Sequence, residues 1–353
     1  MAKRTLDAFF QPSANAANKR PKHDLPSPDG QPANPPSSHS TYPFPITSLP
    51  SHIEVHLSHS TPARSPRPIT NQPDLDLLSF QPYIARTTAT ELFRFLRREL
   101  PFYRVQYQIK RAGVETQITT PRFTTVFGVD DTATFVASPS PRPTQASSPS
   151  SQPDQNLVLV NATTKAPIPA SKYAYAPRPI PACLDHLRRR VEAATGARYN
   201  FCLVNYYAGG EDSIAFHADD ERFLGAQPVI ASLSLGGERE FLMKHKPATA
   251  TGAGVGTGAA TIKSSLPPPQ LKMPLASGDM VVMRGCTQAN WEHSIPKRRG
   301  RAGDAVRGRI NVTFRRAVVP GGTNNYYHYN VGRGGVYRWD EGRQRMVLKG
   351  DVV

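Results

Sequence analysis

Residues 201–236 read FCLVNYYAGGEDSIAFHADDERFLGAQPVIASLSLG. Three short runs in this stretch, FCLVNYY (201–207), SIAFHADD (213–220) and PVIASLSLG (228–236), are rich in aliphatic and aromatic residues and are parted by Gly, Asp or Pro. That is the pattern of strands joined by turns. Four more runs follow, EFLMKH (240–245), DMVVMRG (279–285), WEHSIP (291–296) and RINVTFRR (309–316). Too few residues separate them to house crossover helices, which favours an antiparallel double-sheet jelly roll, a double-stranded β-helix, over a βαβ fold.

Upstream, TTATELFRFLRREL (87–100) puts Leu92, Phe95, Leu96 and Leu100 on one helical face and is followed at once by Pro101. PACLDHLRRRVEAATG (181–196) repeats the pattern with Leu184, Leu187 and Val191, and Gly196 stands where a helix-ending residue of positive φ is expected. YRVQYQIK (103–110) and PRFTTVFGVD (121–130) read as further strands. The fold class is therefore mostly β with flanking helices (α+β) around the jelly-roll core.

Residues 1–75 carry fourteen of the 35 prolines and no run of helical or strand periodicity, so they are expected to form a disordered leader. Low-complexity stretches at about 138–155 and 247–270 are expected to be disordered insertions in a domain spanning 76–319, and 320–353 forms a Gly-, Tyr- and Arg-rich tail. Without these segments enough chain remains for one core.

Forty-three Lys and Arg against 27 Asp and Glu give a formal charge of +16, which points to a polyanionic partner through release of condensed counterions. Three dispersed cysteines (Cys183, Cys202, Cys286) give neither a disulfide framework nor a zinc ribbon and fit a reducing compartment. The N-terminus lacks a signal-peptide core, and no run of about 18 apolar residues could span a bilayer. The chain reads as a soluble intracellular monomer with no membrane partner.

The chemistry lies in SIAFHADD and WEHSIP. On an extended strand His217 and Asp219, two apart, project from one face. His293, from a distant strand, would complete two imidazoles and one carboxylate on one side of a metal ion, with three positions left open as Fe(II) oxygenases require for co-substrate and O2. In RINVTFRR, Arg309, Asn311, Thr313 and Arg315 alternate with apolar residues, so one strand face carries groups able to hold the carboxylates of 2-oxoglutarate.

Taken together, NYYAGGEDSIAFHADDE (205–221), PVIASLSLGGEREFLMKHK (228–246), MRGCTQANWEHSIPK (283–297) and RINVTFR (309–315) resemble the AlkB family, closest to the eukaryotic homologues that demethylate alkylated single-stranded DNA and RNA. The resemblance implies Fe(II), 2-oxoglutarate and O2, with His217, Asp219 and His293 as iron ligands and Asn205 and Tyr207 as 2-oxoglutarate contacts. It implies Arg309 at the proximal end of that co-substrate, and Arg315, with Asn311 and Thr313, at its distal carboxylate. It further implies oxidative demethylation of 1-methyladenine- or 3-methylcytosine-type bases in DNA repair, releasing formaldehyde, CO2 and succinate.

For the substrate, Arg122 falls at a family position near the base, and Tyr173 and Tyr175 of KYAYAP fall near its pocket aromatics, with ordinary core or loop packing as the alternative reading. Asp220 and Glu221 would suit a base made cationic by methylation. The flipped base must leave its stack. VQYQIKRAGVETQ (105–117) shows no hydrophobic finger to fill a duplex gap, so a single-stranded substrate is expected, with PKRRGRAGDAVRGR (296–309) tracking its backbone.

Alternatives are a hydroxylase of protein, RNA or a small molecule, and an inactive nucleic-acid-binding scaffold. In the leader, KRTLDAFF (3–10) resembles the motif by which repair proteins dock on the replication sliding clamp through Leu6, Phe9 and Phe10. Lys19, Arg20, Pro21 and Lys22 suit nuclear import. The expected location is the nucleus, with the cytoplasm as a second site.

Overall fold

The computed structural model describes residues 35–59, 62, 64–111, 113–138, 157–247, 270–298 and 308–350. The clamp-like motif, the basic run Lys19–Lys22, most of both insertions and the centre of the basic stretch after Pro296 lie outside the described residues.

In chain order the elements are α1 (Ser51–His59), β1 (Arg67–Ile69), β2 (Leu77–Phe80), α2 (Arg86–Glu99), β3 (Phe102–Tyr103), β4 (Gln106–Arg111), β5 (Val114–Thr119), β6 (Phe123–Gly128), β7 (Ala133–Ala137) and β8 (Leu157–Asn161). Then come α3 (Ala182–Thr195), β9 (Phe201–Tyr207), β10 (Ile214–His217), β11 (Ile230–Gly236), β12 (Arg239–His245), β13 (Gln270–Leu275), β14 (Met280–Met283) and α4 (Thr287–Asn290). β15 (Trp291–Ile295), β16 (Arg309–Arg315), α5 (Asn324–Asn330), β17 (Val336–Asp340) and β18 (Arg345–Leu348) complete the chain.

Two antiparallel sheets make the jelly roll. The major sheet runs β1-β2-β14-β11-β16-β9-β6-β3-β17-β18 and the minor one β10-β15-β12-β13, while β4-β5 and β7-β8 are separate hairpins. Helices α2 and α3 cover the outer face of the major sheet: Leu92, Leu96, Leu184 and Leu187 share a buried cluster with Leu233, Val312 and Phe314. A second cluster lies between the sheets, where Leu203 and Val281 meet Phe241, Met243 and Trp291. β16 separates the two by alternation, with Ile310, Val312 and Phe314 directed to the helices. Both sequence-predicted helices form, and Gly196 ends α3 at φ 69°, a left-handed conformation that costs a glycine little.

No described helix is long and apolar enough to cross a membrane. Cys183 and Cys202 are buried and Cys286 is partly exposed, all three as free thiols.

One expectation needs correction, and one point that the sequence left open, the state of the tail, is answered. Residues 35–59, assigned to a disordered leader, form α1 and the turn before it. Ile46, Leu49, Ile53 and Leu57 recur at helix-like spacing, and all four are buried with α2 and α3. Thr47 Oγ1 also donates to Glu99 Oε2 at 2.8 Å, and Tyr42 OH donates to Pro179 O at 2.6 Å. Proline-rich composition hid an apolar stripe that becomes stable only against the helices it covers. The tail is also folded: α5 packs on β6, and β17 extends the major sheet beside β3.

Truncating Ile53, 2% exposed, tests the correction. Ile53→Ala should lower the unfolding free energy by about 2–5 kcal/mol in a denaturant titration. A loss below about 0.5 kcal/mol would mean that the segment does not pack on the core.

Candidate active site

β10 and β15 pair with His217 directly opposite His293, so register alone brings two imidazoles together. Their ring centroids lie 4.3 Å apart. β10 ends at His217, so Asp219 is carried by the following turn rather than by the same strand face, as the two-residue spacing suggested. Its N–H donates to Gln288 Oε1 at 2.9 Å, and its Oδ2 accepts from Arg315 Nη2 at 2.6 Å. Held so, the carboxylate stands 3.9 Å from each Nε2, through Oδ1 to His217 and Oδ2 to His293.

All three donors lie within 4.8 Å of one another. Two donors each about 2.1 Å from a common ion can be about 4.2 Å apart, so both carboxylate–imidazole distances are within shared reach. The Ala215 carbonyl accepts from His217 Nδ1 at 2.9 Å, a tautomer that leaves the Nε2 lone pair for a metal.

The electrostatics suit a cation. Burial on its own would raise the Asp219 pKa, but Arg315 and the two imidazoles outweigh it and hold the carboxyl below the usual range. Burial, helped by His217, pushes His293 down to about 3, so that imidazole is neutral at physiological pH. The donor set is thus one carboxylate anion and two imidazole nitrogens.

The polar face of β16 opens on a cavity of about 1060 Å³ that the metal cluster also lines. Arg309 is 2% exposed; its Nη2 donates to Ser234 Oγ at 2.8 Å, while its Nε and Nη1 are buried with no partner. Burial lowers its pKa to about 10, still cationic at neutral pH. A buried guanidinium with two open donors is a receptor for a carboxylate. Tyr207, its cross-strand neighbour, has its ring 5.3 Å from the Arg309 Cζ. Asn205 opposes Asn311 two pairs further on and accepts from Arg122 Nε at 2.6 Å. Asn311 donates to Ser232 Oγ, and Thr313 to Leu203 O, both at 2.9 Å.

The order of the two arginines along β16 is the reverse of that expected. Arg315 is at the metal end, bonded to Asp219, and Arg309 with its free donors is at the far end. Alternation told which face the arginines share but not which end of it the histidines approach.

The base-pocket expectations divide. Arg122 and Glu221 line the cavity. Asp220 does not; it is exposed and paired with Lys246 Nζ at 2.7 Å. Tyr173 is buried in a separate small cluster, donating to Asp130 Oδ2 at 3.2 Å. Tyr175 turns its hydroxyl onto His328 of α5 instead of into the cavity. The cavity takes aromatic lining from Tyr107, Phe241, Tyr326 and Tyr329. Gln288, Ser232 and Ser234 also escaped the sequence reading. The serines had a signal, since in SLSLG they alternate with leucine as the residues of β16 do; Gln288 had none.

A sequence model of the 2OG-Fe(II) oxygenase superfamily matches residues 76–315, and the chain belongs to that superfamily. Members of that superfamily are named for Fe(II) and 2-oxoglutarate, and the His217–Asp219–His293 cluster fits the iron. Within the superfamily the chain's curated relatives are of the AlkB family. It is 42% identical over 124 residues to DNA oxidative demethylase ALKBH2 of Arabidopsis thaliana, a match covering 34% of this chain and 38% of that one. To alpha-ketoglutarate-dependent dioxygenase alkB homolog 3 of Homo sapiens it is 38% identical over 132 residues (37% and 41% of the two chains). To the ALKBH2 of Homo sapiens it is 33% identical over 144 residues (41% and 49%). The chain thus spans about two fifths of the length of the first relatives it matches.

Proposed function

We propose that this protein oxidatively demethylates N-alkylated bases of the 1-methyladenine and 3-methylcytosine type in single-stranded nucleic acid. The observation that carries the reading is one cavity with a two-imidazole, one-carboxylate cluster at one end and, at the other, a buried arginine with two donors left over. Its volume is that of a site for a co-substrate and a base together. Relatives bearing the name DNA oxidative demethylase supply the substrate class.

His217, Asp219 and His293 hold the iron, and Arg315 fixes the Asp219 carboxylate in place. Arg309 receives the far carboxylate of 2-oxoglutarate through Nε and Nη1, with Tyr207 beside it. Arg122 orients Asn205 toward the same compartment. Glu221 keeps one carboxylate oxygen buried without a partner, an acceptor suited to the N–H or positive charge of an alkylated base. When bound, iron with 2-oxoglutarate and O2 supplies oxidation of the N–CH3 carbon to N–CH2OH, giving succinate and CO2, and the hydroxymethyl group then leaves as formaldehyde with its proton returned to nitrogen.

Two features favour single strands. A base must be unstacked to enter the cavity. Among the described side chains of the β4–β5 hairpin the exposed apolar one is Val114, a short group beside the aromatic or leucine wedges that fill duplex gaps. Nuclear import through Lys19–Lys22 and clamp docking through Leu6, Phe9 and Phe10 belong to the same proposal and rest on sequence.

The protein with Fe(II), ascorbate, 2-oxoglutarate and a 1-methyladenine-containing single strand should release formaldehyde and leave the unmethylated oligonucleotide by mass. An unchanged mass, with 2-oxoglutarate consumed on a protein substrate instead, would replace this reading with protein hydroxylation.

A further inference from the structure

The superfamily match ends at residue 315, yet the chain beyond it builds part of the cavity wall. The segment is fixed there by hydrogen bonds, two of them buried. Gly321 N–H donates to Asp130 Oδ2 at 2.9 Å, Tyr327 OH donates to Gly128 O at 2.7 Å, and Thr124 Oγ1 donates to Asn330 O at 2.8 Å. α5 then reaches the metal end. The Tyr326 ring lies 5.2 Å from the Arg315 Cζ, and its hydroxyl donates to Glu221 Oε1 at 3.0 Å.

Three residues on, and so on the same helical face, comes Tyr329. It lines the same cavity but is 46% exposed, which sets it at the opening. Tyr107 of β4 braces it edge-on with centroids 5.2 Å apart. An aromatic ring held rigidly and left half open beside a polar chamber offers a π-face to a planar ligand at little entropic cost. Tyr175, at the position where the family resemblance expects such a ring, is occupied with His328, and α5 provides the substitute.

We propose that α5 is the substrate-side wall of the catalytic chamber and that Tyr329, braced by Tyr107, is the surface on which an unpaired base stacks while its alkyl group faces His217, Asp219 and His293. The assignment rests on the demethylase reading above. It makes the C-terminal segment a specificity element added to the oxygenase core.

The test is steady-state formaldehyde release from a 1-methyladenine-containing single strand by the full chain. Tyr329→Ala should raise KM for the oligonucleotide about tenfold or more, with KM for 2-oxoglutarate staying within about twofold. Tyr329→Phe, which keeps the ring, should restore the oligonucleotide KM, and Tyr107→Ala should raise it in the same direction. General damage to the fold would instead move both KM values and the melting temperature. A Tyr329→Ala enzyme whose oligonucleotide KM stays within about twofold of the parent overturns the stacking role while leaving the demethylase reading intact. A parent enzyme that releases no formaldehyde from any methylated strand removes both.

Discussion

Asp219→Ala is expected to lose iron binding and to lower formaldehyde release by about a thousandfold or more, the largest effect of any single substitution in the chain. Asp219 is the one carboxylate in the donor set, so its removal leaves two imidazoles alone to hold a divalent cation. The same change strands Arg315, which is 3% exposed and gives its Nη2 to that carboxylate. An uncompensated buried charge costs about 3–5 kcal/mol, so the variant should also melt earlier.

Asp219→Asn separates the two effects. It retains an oxygen acceptor for Arg315 but not the charge, so it should recover part of the stability and little of the activity. Iron titration, melting temperature and product release measured on both variants check this. Turnover within about tenfold of the parent for Asp219→Ala would remove the residue from the metal site.

Arg309→Met should raise KM for 2-oxoglutarate by about a hundredfold or more, the loss of a buried charge-assisted pair being worth about 2–5 kcal/mol. Here stability should move the other way from Asp219→Ala. In the protein without co-substrate Arg309 buries a cation with Nε and Nη1 unpartnered, and Met fills similar volume without that penalty. A melting temperature equal to or above that of the parent, together with a defect in 2-oxoglutarate affinity, is the expected combination. Arg309→Lys should rescue only in part, because an ammonium gives a point charge where the guanidinium gives a planar fork. If KM for 2-oxoglutarate in Arg309→Met stays within about twofold, the co-substrate binds elsewhere.

His217, Asp219 and His293 were legible in the chain through the motifs that surround them, SIAFHADD and WEHSIP followed by RINVTFR, and the resemblance these carry, rather than through the His-x-Asp spacing alone. Strand alternation in 309–315 was equally plain, since a period of two assigns every residue to one of two faces. The two helices and the jelly-roll class followed from the same local periodicities. All of these are properties of neighbours along the sequence.

Tertiary structure decided what each face meets. Arg309 and Arg315 share a face whatever the fold, but only the pairing of β16 with β9 and β11, and the approach of the turn after β10, makes one the partner of Asp219 and leaves the other open. Tyr175 and Tyr329 are both tyrosines in polar surroundings, and the docking of α5 turns the first away from the cavity and brings the second to its edge. Residues 46–57 read as leader because their apolar stripe is short, and burial against α2 and α3 is what makes it a helix. Side-chain period is set by backbone geometry within a few residues, whereas the partner across a cavity is set by contacts between segments far apart in the chain, on which local spacing carries no information.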